Sequence, residues 1–430
     1  FMKTSLPTAL VFGLDTLGEI TLQSDIYFQE NLIDDVNIIS HDSFDNLNNL
    51  ISTHNPDIII TIGEKYKDID LFGQLILETK RLHYEYQPEN NIIANDIVCQ
   101  STFWACNSQE MVFKNEDTPL VSVFTPTYKT YERIFRAYES LKNQTYKNWE
   151  WVVVDDSPFH DFRTFEYIRM LAESDNRIKF HKILPTSGGN VGEVKHRAAV
   201  LCNGKWLVEL DHDDVIMPTA LEDIISASKL HPDSGFIYTD CCELYDDGEM
   251  RPYGGYVGDD WYAHPNNKFN WGYAGNTWET HYGKDYLVHH YQEMNPKTIR
   301  FNIGMPNHLR AWRSDIYNKI GGHNRNISVA DDFELILNTF LETKFTHIKK
   351  MLYLQYNNRN STVDNNVTDI NRRSRLIRDA YDLKIHNRIE ELGGFDWNWD
   401  STTNTSYKFQ NGQTNLRYGE DEVILNYIVE

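Results

Sequence analysis

Three carboxylates and an imidazole fall within four consecutive residues at Asp211-His212-Asp213-Asp214, a density that no apolar core accommodates. The run before them, Lys205-Trp206-Leu207-Val208-Glu209-Leu210, reads as a mostly buried strand in the interior of a sheet. After them, Pro218 suits a first helical position, and Leu221, Ile224 and Ile225 recur at helical spacing. The acidic turn therefore lies at the carboxyl end of a strand, where open α/β sheets bind ligands. Carboxylates this close repel one another and call for positive charge. Oxygen donors in a short turn suit Mg²⁺ or Mn²⁺, ions that also bind substrate phosphates. An exposed acidic turn capping the next helix is the alternative.

The chain has 430 residues, enough for two or three domains with substantial cores. Its formal net charge of −22 argues against a nucleic-acid backbone or an anionic membrane as partner. No apolar run is long enough to span a bilayer, and no leader pattern is found. Five cysteines, two of them adjacent at Cys241 and Cys242, form neither an even disulfide framework nor a zinc spacing. A reducing, cytoplasmic setting is expected, at most peripheral to a membrane.

Residues 1–115 read as a small parallel α/β domain of unknown role. Thr8-Ala9-Leu10-Val11-Phe12-Gly13, Val36-Asn37-Ile38-Ile39 and Asp57-Ile58-Ile59-Ile60-Thr61-Ile62 are candidate strands, with a helical pattern through Phe44, Leu47, Leu50 and Ile51. In Gly13-Leu14-Asp15-Thr16-Leu17-Gly18, Asp15 stands where a dinucleotide loop needs glycine, so a structural turn is expected.

Residues 116–365 repeat one arrangement, a strand followed by a polar cluster. Leu120-Val121-Ser122-Val123-Phe124 ends in Thr125-Pro126-Thr127-Tyr128, and a helix with Ile134, Phe135, Tyr138 and Leu141 on one face follows. Trp149-Glu150-Trp151-Val152-Val153-Val154 ends in Asp155-Asp156-Ser157. A further strand at Arg177-Ile178-Lys179-Phe180 leads to Ser187-Gly188-Gly189-Asn190-Val191-Gly192, which opens another helix. A parallel sheet brings these clusters and the acidic turn to one edge.

That order of strand ends resembles the nucleotide-sugar domain of family 2 glycosyltransferases. The resemblance rests on the stretch from Val121 to Tyr128, Asp155-Asp156, Asn190 with Gly192, and Leu210-Asp211-His212-Asp213-Asp214 followed by Met217-Pro218. Gly235-Phe236-Ile237-Tyr238-Thr239-Asp240, Ile320-Gly321-Gly322-His323 and Asp331-Asp332-Phe333-Glu334-Leu335 also look like that family. It implies a GT-A type, Rossmann-like mixed sheet flanked by helices. It further implies that Pro126, Thr127, Tyr128, Asp155 and Asp156 hold the nucleoside, although one of the two aspartates can instead cap a turn. Asn190, Gly192 and Lys195 would face the diphosphate, with Gly188, Gly189 and Gly192 letting the chain run close to it. In the Asp-x-Asp turn, Asp213 becomes the direct metal ligand, Asp211 meets ribose or a metal-bound water, and His212 lies beside the donor. Asp332 of the Asp331-Asp332 pair becomes the base, with a helix N-cap as its bland alternative.

Many relatives carry a histidine after the last strand that completes the metal site. Here Tyr356-Asn357-Asn358-Arg359-Asn360-Ser361 lacks it, so the third protein ligand is open and Arg359 becomes a candidate for the diphosphate. Between about residues 246 and 306 lies an aromatic-rich insert with Tyr253, Trp261, Trp271 and Trp278, poor in strand or helix periodicity. Its rings suit either a sugar acceptor or a loop-rich satellite core. Asp240, Trp271, His308 and Arg310 are the acceptor-side candidates. Residues 366–430 read as a charged amphipathic helix through Ile370, Ile377, Tyr381 and Ile385, then an extended tail suited to docking or to homo-oligomerisation.

The expectation is a metal-dependent (Mn²⁺ or Mg²⁺), inverting glycosyltransferase moving a sugar from a nucleotide sugar, with UDP favoured because Asp156 suits uracil, to a hydroxyl of a glycan or other acceptor. A sugar nucleotidyltransferase would need a Gly-rich, Arg-containing phosphate loop after the first strand, which Thr125-Pro126-Thr127-Tyr128-Lys129 does not offer. A non-catalytic carbohydrate-binding or scaffold protein is the rival of a different class.

Overall fold

The computed structural model describes residues 8–12, 37–41, 47–54, 58–62 and 82–86, then 117–158, 161–183, 187–251, 273–291, 305–357 and 362–391, with Pro56, Met294 and Ile299 as isolated positions. In the N-terminal region, β1 (Thr8–Phe12), β2 (Asn37–His41), β3 (Ile58–Ile62) and β4 (Leu82–Tyr86) form a parallel sheet in the order β2-β1-β3-β4. Helix α1 (Leu47–His54) joins β2 to β3, and Leu10, Phe12 and Ile59 form a small buried cluster. The sequence pattern locates three of these strands and misses β4, whose Leu82-His83-Tyr84-Glu85-Tyr86 is too polar to stand out. The turn at residues 13–18 lies outside the described residues.

Among the described residues the central sheet has ten strands. Strands β5 (Val121–Thr127), β6 (Trp149–Asp155), β7 (Ile178–Lys182) and β8 (Trp206–Glu209) run parallel, with β5 between β6 and β8. Both faces of β6 and β8 are buried, which is why these strands read as near-continuous apolar runs. Helices α2 (Ile134–Lys142), α3 (Arg163–Ser174) and α4 (Val191–Val200) connect them. The chain runs outward from β5 through β6 to β7, then returns through α4 to β8 on the other side of β5. Strand order reverses there, so the loops leaving β5 and β8 part and open a crevice at their carboxyl ends.

Beyond β8 the sheet turns mixed. A two-residue strand β9 (Val215–Ile216) and α5 (Ala220–Leu230) lead into β10 (Ser234–Tyr245). β10 pairs antiparallel with β12 (Lys284–Tyr291) and β13 (Arg310–Arg313), and parallel with β14 (Lys344–Asn357). β13 in turn lies antiparallel to β8. Helices α6 (Ser314–Lys319) and α7 (Asp331–Glu342) connect β13 to β14, and α8 (Thr362–Glu391) follows. α8 packs on α7 and buries Ile377, Tyr381 and Ile385, as its periodicity predicts, and it begins at Thr362, ahead of the start at Asp369 that the sequence pattern suggests.

The aromatic insert departs from expectation. β11 (Tyr273–His281) pairs with β12 across a two-residue loop, Tyr282-Gly283, in which both residues have positive φ (54° and 77°). That is the geometry of a tight hairpin. Tyr282 stands where asparagine or glycine is usual, so the turn carries no sequence signal. Trp278 is exposed on the hairpin, and Trp261 and Trp271 lie outside the described residues.

The core is built on large aromatics, with Trp149, Trp151, Trp206 and Trp312 all at most 2% exposed. At about 25 cal/mol per Å² over roughly 200 Å², each contributes about 5 kcal/mol of apolar burial. The indole N–H of Trp151 donates to Thr125 Oγ1 (2.8 Å) and that of Trp312 to Thr339 Oγ1 (3.0 Å). A buried ion pair crosses the sheet: Glu150 accepts from Lys179 Nζ, Ser122 Oγ (both 2.5 Å) and the Asn203 N–H (2.6 Å), with the Lys179 and Glu150 side chains fully buried. Removing one partner strands the other charge in a dry interior. The Lys179→Ala variant is therefore expected to lose about 3–5 kcal/mol of stability in denaturant titration, and a loss below about 1 kcal/mol would contradict this account.

Candidate active site

Both edges of the crevice are set by strand ends. After β5 the chain enters Tyr128, whose ring is 51% exposed, with Lys129 Nζ 5.1 Å from its centroid. Thr127 is buried and its hydroxyl donates to Asp155 Oδ1 (3.0 Å), whereas Pro126 is half-buried. After β8 comes the acidic turn. The Asp211 N–H donates to Tyr353 Oη (3.1 Å), and the Asp214 N–H closes the turn on the Asp211 carbonyl (3.2 Å). Asp214 is buried against β14, accepting from Tyr353 Oη and the Tyr356 N–H, both at 2.7 Å. Burial raises its pKa well above the usual carboxylate range, and Asp213 and Asp211 add to the rise.

The two central aspartates point to different neighbours. Asp211 Oδ2 lies 3.2 Å from His308 Nε2, and the His308 ring, 5% exposed, stacks on Tyr353 at 4.9 Å. Burial works against the charge of Asp211, but His308 and Lys195 outweigh it and hold the carboxyl well below its ordinary pKa. Asp213 is turned to the opposite side, with Oδ2 3.7 Å from Arg133 and Oδ1 3.4 Å from His212 Nδ1. Its carbonyl accepts from Arg136 (2.9 Å), whose guanidinium stacks on Tyr356 at 3.8 Å and also pairs with Asp246 (3.1 Å).

Glu209, fully buried at the end of β8, sits beneath the turn. Lys195 Nζ joins it (2.8 Å) to Asp331 (3.3 Å), and Arg310 joins it (3.4 Å) to Asp332 (3.0 Å). Arg310 also donates to the Pro306 carbonyl (2.9 Å) and is itself 1% exposed. Asp331 and Asp332 open α7 behind Ala330, which has positive φ (61°). Burial raises the pKa of Asp331, with Asp332 and Glu209 adding and Lys195 opposing. For Asp332 burial is again the largest influence, but Arg310 and Lys195 outweigh it and hold the carboxyl below its ordinary value. Asp332 keeps 27% of its side chain exposed, whereas Asp331 keeps 7%.

The donor chemistry here fits a divalent cation. Glu209, Asp211 and His308 each offer one ligand atom within 4.8 Å of the others. The Asp211–His308 separation matches two adjacent ligands on one ion, since bonds of about 2.1–2.2 Å at right angles place donors about 3.0 Å apart. Glu209 is already matched by Lys195 and Arg310, which leaves Asp211 and His308 as the donors of that cluster free to take an ion, while Asp213 faces Arg133 and His212.

Several sequence expectations need correction. Lys195, expected at a diphosphate, is buried between Glu209 and Asp331. Arg310 and Asp240, expected on the acceptor side, are each 1% exposed. Asp240 accepts from His347 (2.8 Å), His290 (2.9 Å) and the Tyr291 N–H (2.9 Å), binding β10, β12 and β14 together at a register shift. Gly192 serves packing: an added Cβ would lie 2.2 Å from the Asn324 carbonyl, so glycine is what lets α4 approach residues 324–327. Asp155 is consumed by Lys182 (3.0 Å), Thr127 and Ser157 (2.6 Å). His308 faces the acidic turn.

Other positions behave differently. Asp156 accepts from the Ser187 N–H (2.6 Å) and hydroxyl (2.5 Å), so its carboxylate joins the β6 end to the loop before α4, and burial raises its pKa. Asn190 caps α4 by accepting from the Glu193 N–H (3.3 Å) and donating to the Arg325 carbonyl. Trp271 and Arg359 lie outside the described residues. Sequence reasoning missed Arg133 and Arg136, whose signal was their position one helical turn apart just after Tyr128.

Residues 122–288 match the family described as glycosyl transferase family 2. The match covers 167 of the 430 residues and takes in the acidic turn. The mixed sheet flanked by helices is the architecture expected from the sequence. An uncharacterized glycosyltransferase of Haemophilus influenzae is 23% identical over 65% of this chain and 81% of its own length. A chondroitin synthase of Escherichia coli is 23% identical over 55% of this chain. The chain spans only 28% of that synthase, and less than half of several other curated relatives that match the family 2 domain. Among solved structures, Staphylococcus aureus TarS in complex with UDP-GlcNAc is 18% identical, covering 63% of this chain and 72% of its own, with a TM-score of 0.42. No helix among the described residues is long and apolar enough to cross a membrane.

The start of α4 is fixed by charge. Glu193 receives Arg325 (2.9 Å) and Arg197 (2.6 Å). Burial opposes its charge, but the two arginines prevail and lower its pKa to about 2. A depressed folded pKa stabilises above the unfolded value near 4.5 and is lost as pH falls through about 2. Between pH 5 and 2 the wild type should therefore lose up to about 3 kcal/mol more than a Glu193→Gln variant in denaturant titrations, and parallel losses would refute the assignment.

Proposed function

We propose that this protein is a metal-dependent, inverting glycosyltransferase that moves a sugar from a nucleotide sugar to an acceptor hydroxyl. One observation carries the reading: a single buried guanidinium, Arg310, fastens the partly exposed carboxylate of Asp332 to Glu209, at the end of the strand that leads into Asp211-His212-Asp213. A candidate base and a candidate cation site are thereby held in fixed relation at one edge of the crevice.

Tyr128 presents an open ring for stacking on the base, and Asp156, once Ser187 yields, offers a carboxylate to uracil or ribose. This makes a UDP-sugar the favoured donor. Asp211 and His308 would hold Mn²⁺ or Mg²⁺, joined by Asp213 once it turns from Arg133, with the imidazole favouring Mn²⁺. A bound ion there would neutralise charge growing on the departing nucleoside diphosphate. Asp332 accepts the proton of the attacking hydroxyl, and Arg310 keeps it ionised at neutral pH. Asp331 stays behind it as a partner of Lys195. Attack from the side opposite the leaving group inverts the anomeric carbon. The acceptor approaches from the open side of Asp332, and a glycan suits the exposed aromatic hairpin carrying Trp278.

With the turnover-competent donor found by screening UDP-, GDP- and dTDP-sugars, Asp332→Asn should lower kcat by about 10²–10⁴-fold with little change in donor KM. Product NMR should show the anomeric sense opposite to the donor. Near-normal kcat in the variant, or retained configuration, would contradict the mechanism.

A further inference from the structure

Resting on that reading, a diphosphate must run from the nucleoside end at Tyr128 and Asp156 to the metal end at Asp213, and some cation has to meet it. Lys195 is sequestered between Glu209 and Asp331. Arg310 is sequestered between Glu209 and Asp332. Arg136 is committed to the Asp213 carbonyl, the Tyr356 ring and Asp246. Lys129 lies over Tyr128, on the nucleoside side.

Arg133 differs from all of these. It belongs to the short 3₁₀ turn at Tyr131–Arg133 that follows Tyr128, and its side chain is 36% exposed. Its contact with Asp213 Oδ2 is long, at 3.7 Å, and is made to the carboxylate a cation would claim. Part-exposed ion pairs of this length hold weakly. A guanidinium matches phosphate oxygens bidentately, which a lysine cannot do.

We infer that, among the described residues, Arg133 binds the donor diphosphate, releasing Asp213 as a divalent cation takes that carboxylate. Arg133 and the cation compete for Asp213 when no nucleotide is present, and cooperate on the diphosphate when one is. The same side chain thus opposes metal alone and favours metal with nucleotide.

Calorimetric titration of Mn²⁺ alone, and of UDP, GDP and dTDP in saturating Mn²⁺, into wild type, Arg133→Lys and Arg133→Ala tests this. For the nucleotide that binds wild type, Arg133→Ala should raise Kd by at least about tenfold and Arg133→Lys by less. Mn²⁺ alone should bind Arg133→Ala roughly threefold tighter, because a competing positive charge is gone. A merely structural role would weaken both ligands in parallel, and that result overturns the assignment. So does unchanged nucleotide affinity in Arg133→Ala while Asp213→Ala loses it. If wild type binds none of the three nucleotides with Mn²⁺, the donor-site reading itself falls, and this inference with it.

Discussion

Glu209 is a carboxylate with no solvent exposure at the end of an interior strand, and two cations reach it from different elements. Lys195 comes from α4 and Arg310 from β13, and each extends past Glu209 to one of the two aspartates that open α7. An isolated buried carboxylate would cost several kcal/mol, and so would either cation alone. Only the five groups together come close to balance, so β8, α4, β13 and α7 have to arrive in one relative arrangement. The network is therefore better understood as a constraint on position than as a source of stability.

That constraint leaves the site unfinished in a specific sense. Asp211, Asp213 and Asp214 crowd the turn directly above the balanced network, and burial with mutual repulsion already pushes Asp214 toward its neutral form. Asp214 answers by serving as an anchor to β14. Asp211 leans on His308 and Asp213 on Arg133. Under the proposed reading a divalent ion would bridge the first pair and displace Arg133 from the second, whereas the contacts of Glu209 and Asp331 are internal to the protein.

The strand ends were legible in the sequence because interior parallel strands are apolar on both faces, so polar clusters such as Thr127-Tyr128 and Asp211-His212-Asp213 stand out at their termini. The roles of individual side chains within those clusters were less so. Nothing in the spacing of Lys195 tells that Glu209, fourteen residues on, points into the same interior, because that contact depends on how α4 packs against β5 and β6. Gly192 read as a ligand-facing glycine because its close approach to residues 324–327 is a tertiary fact. His308 read as an acceptor-side candidate because only the pairing of β13 with β8 brings it beside Asp211. The hairpin of β11 and β12 was hidden by its unusual Tyr282-Gly283 turn.

The central claim is that the acidic turn is a cation-dependent nucleotide site. Calorimetric titration of UDP, GDP and dTDP into the wild-type protein and Asp213→Ala, each with and without Mn²⁺, tests it most directly. The account predicts that one nucleotide binds wild type only with Mn²⁺ and that this binding disappears in Asp213→Ala. Nucleotide binding that is indifferent to the ion and to Asp213, or no binding at all, would contradict it.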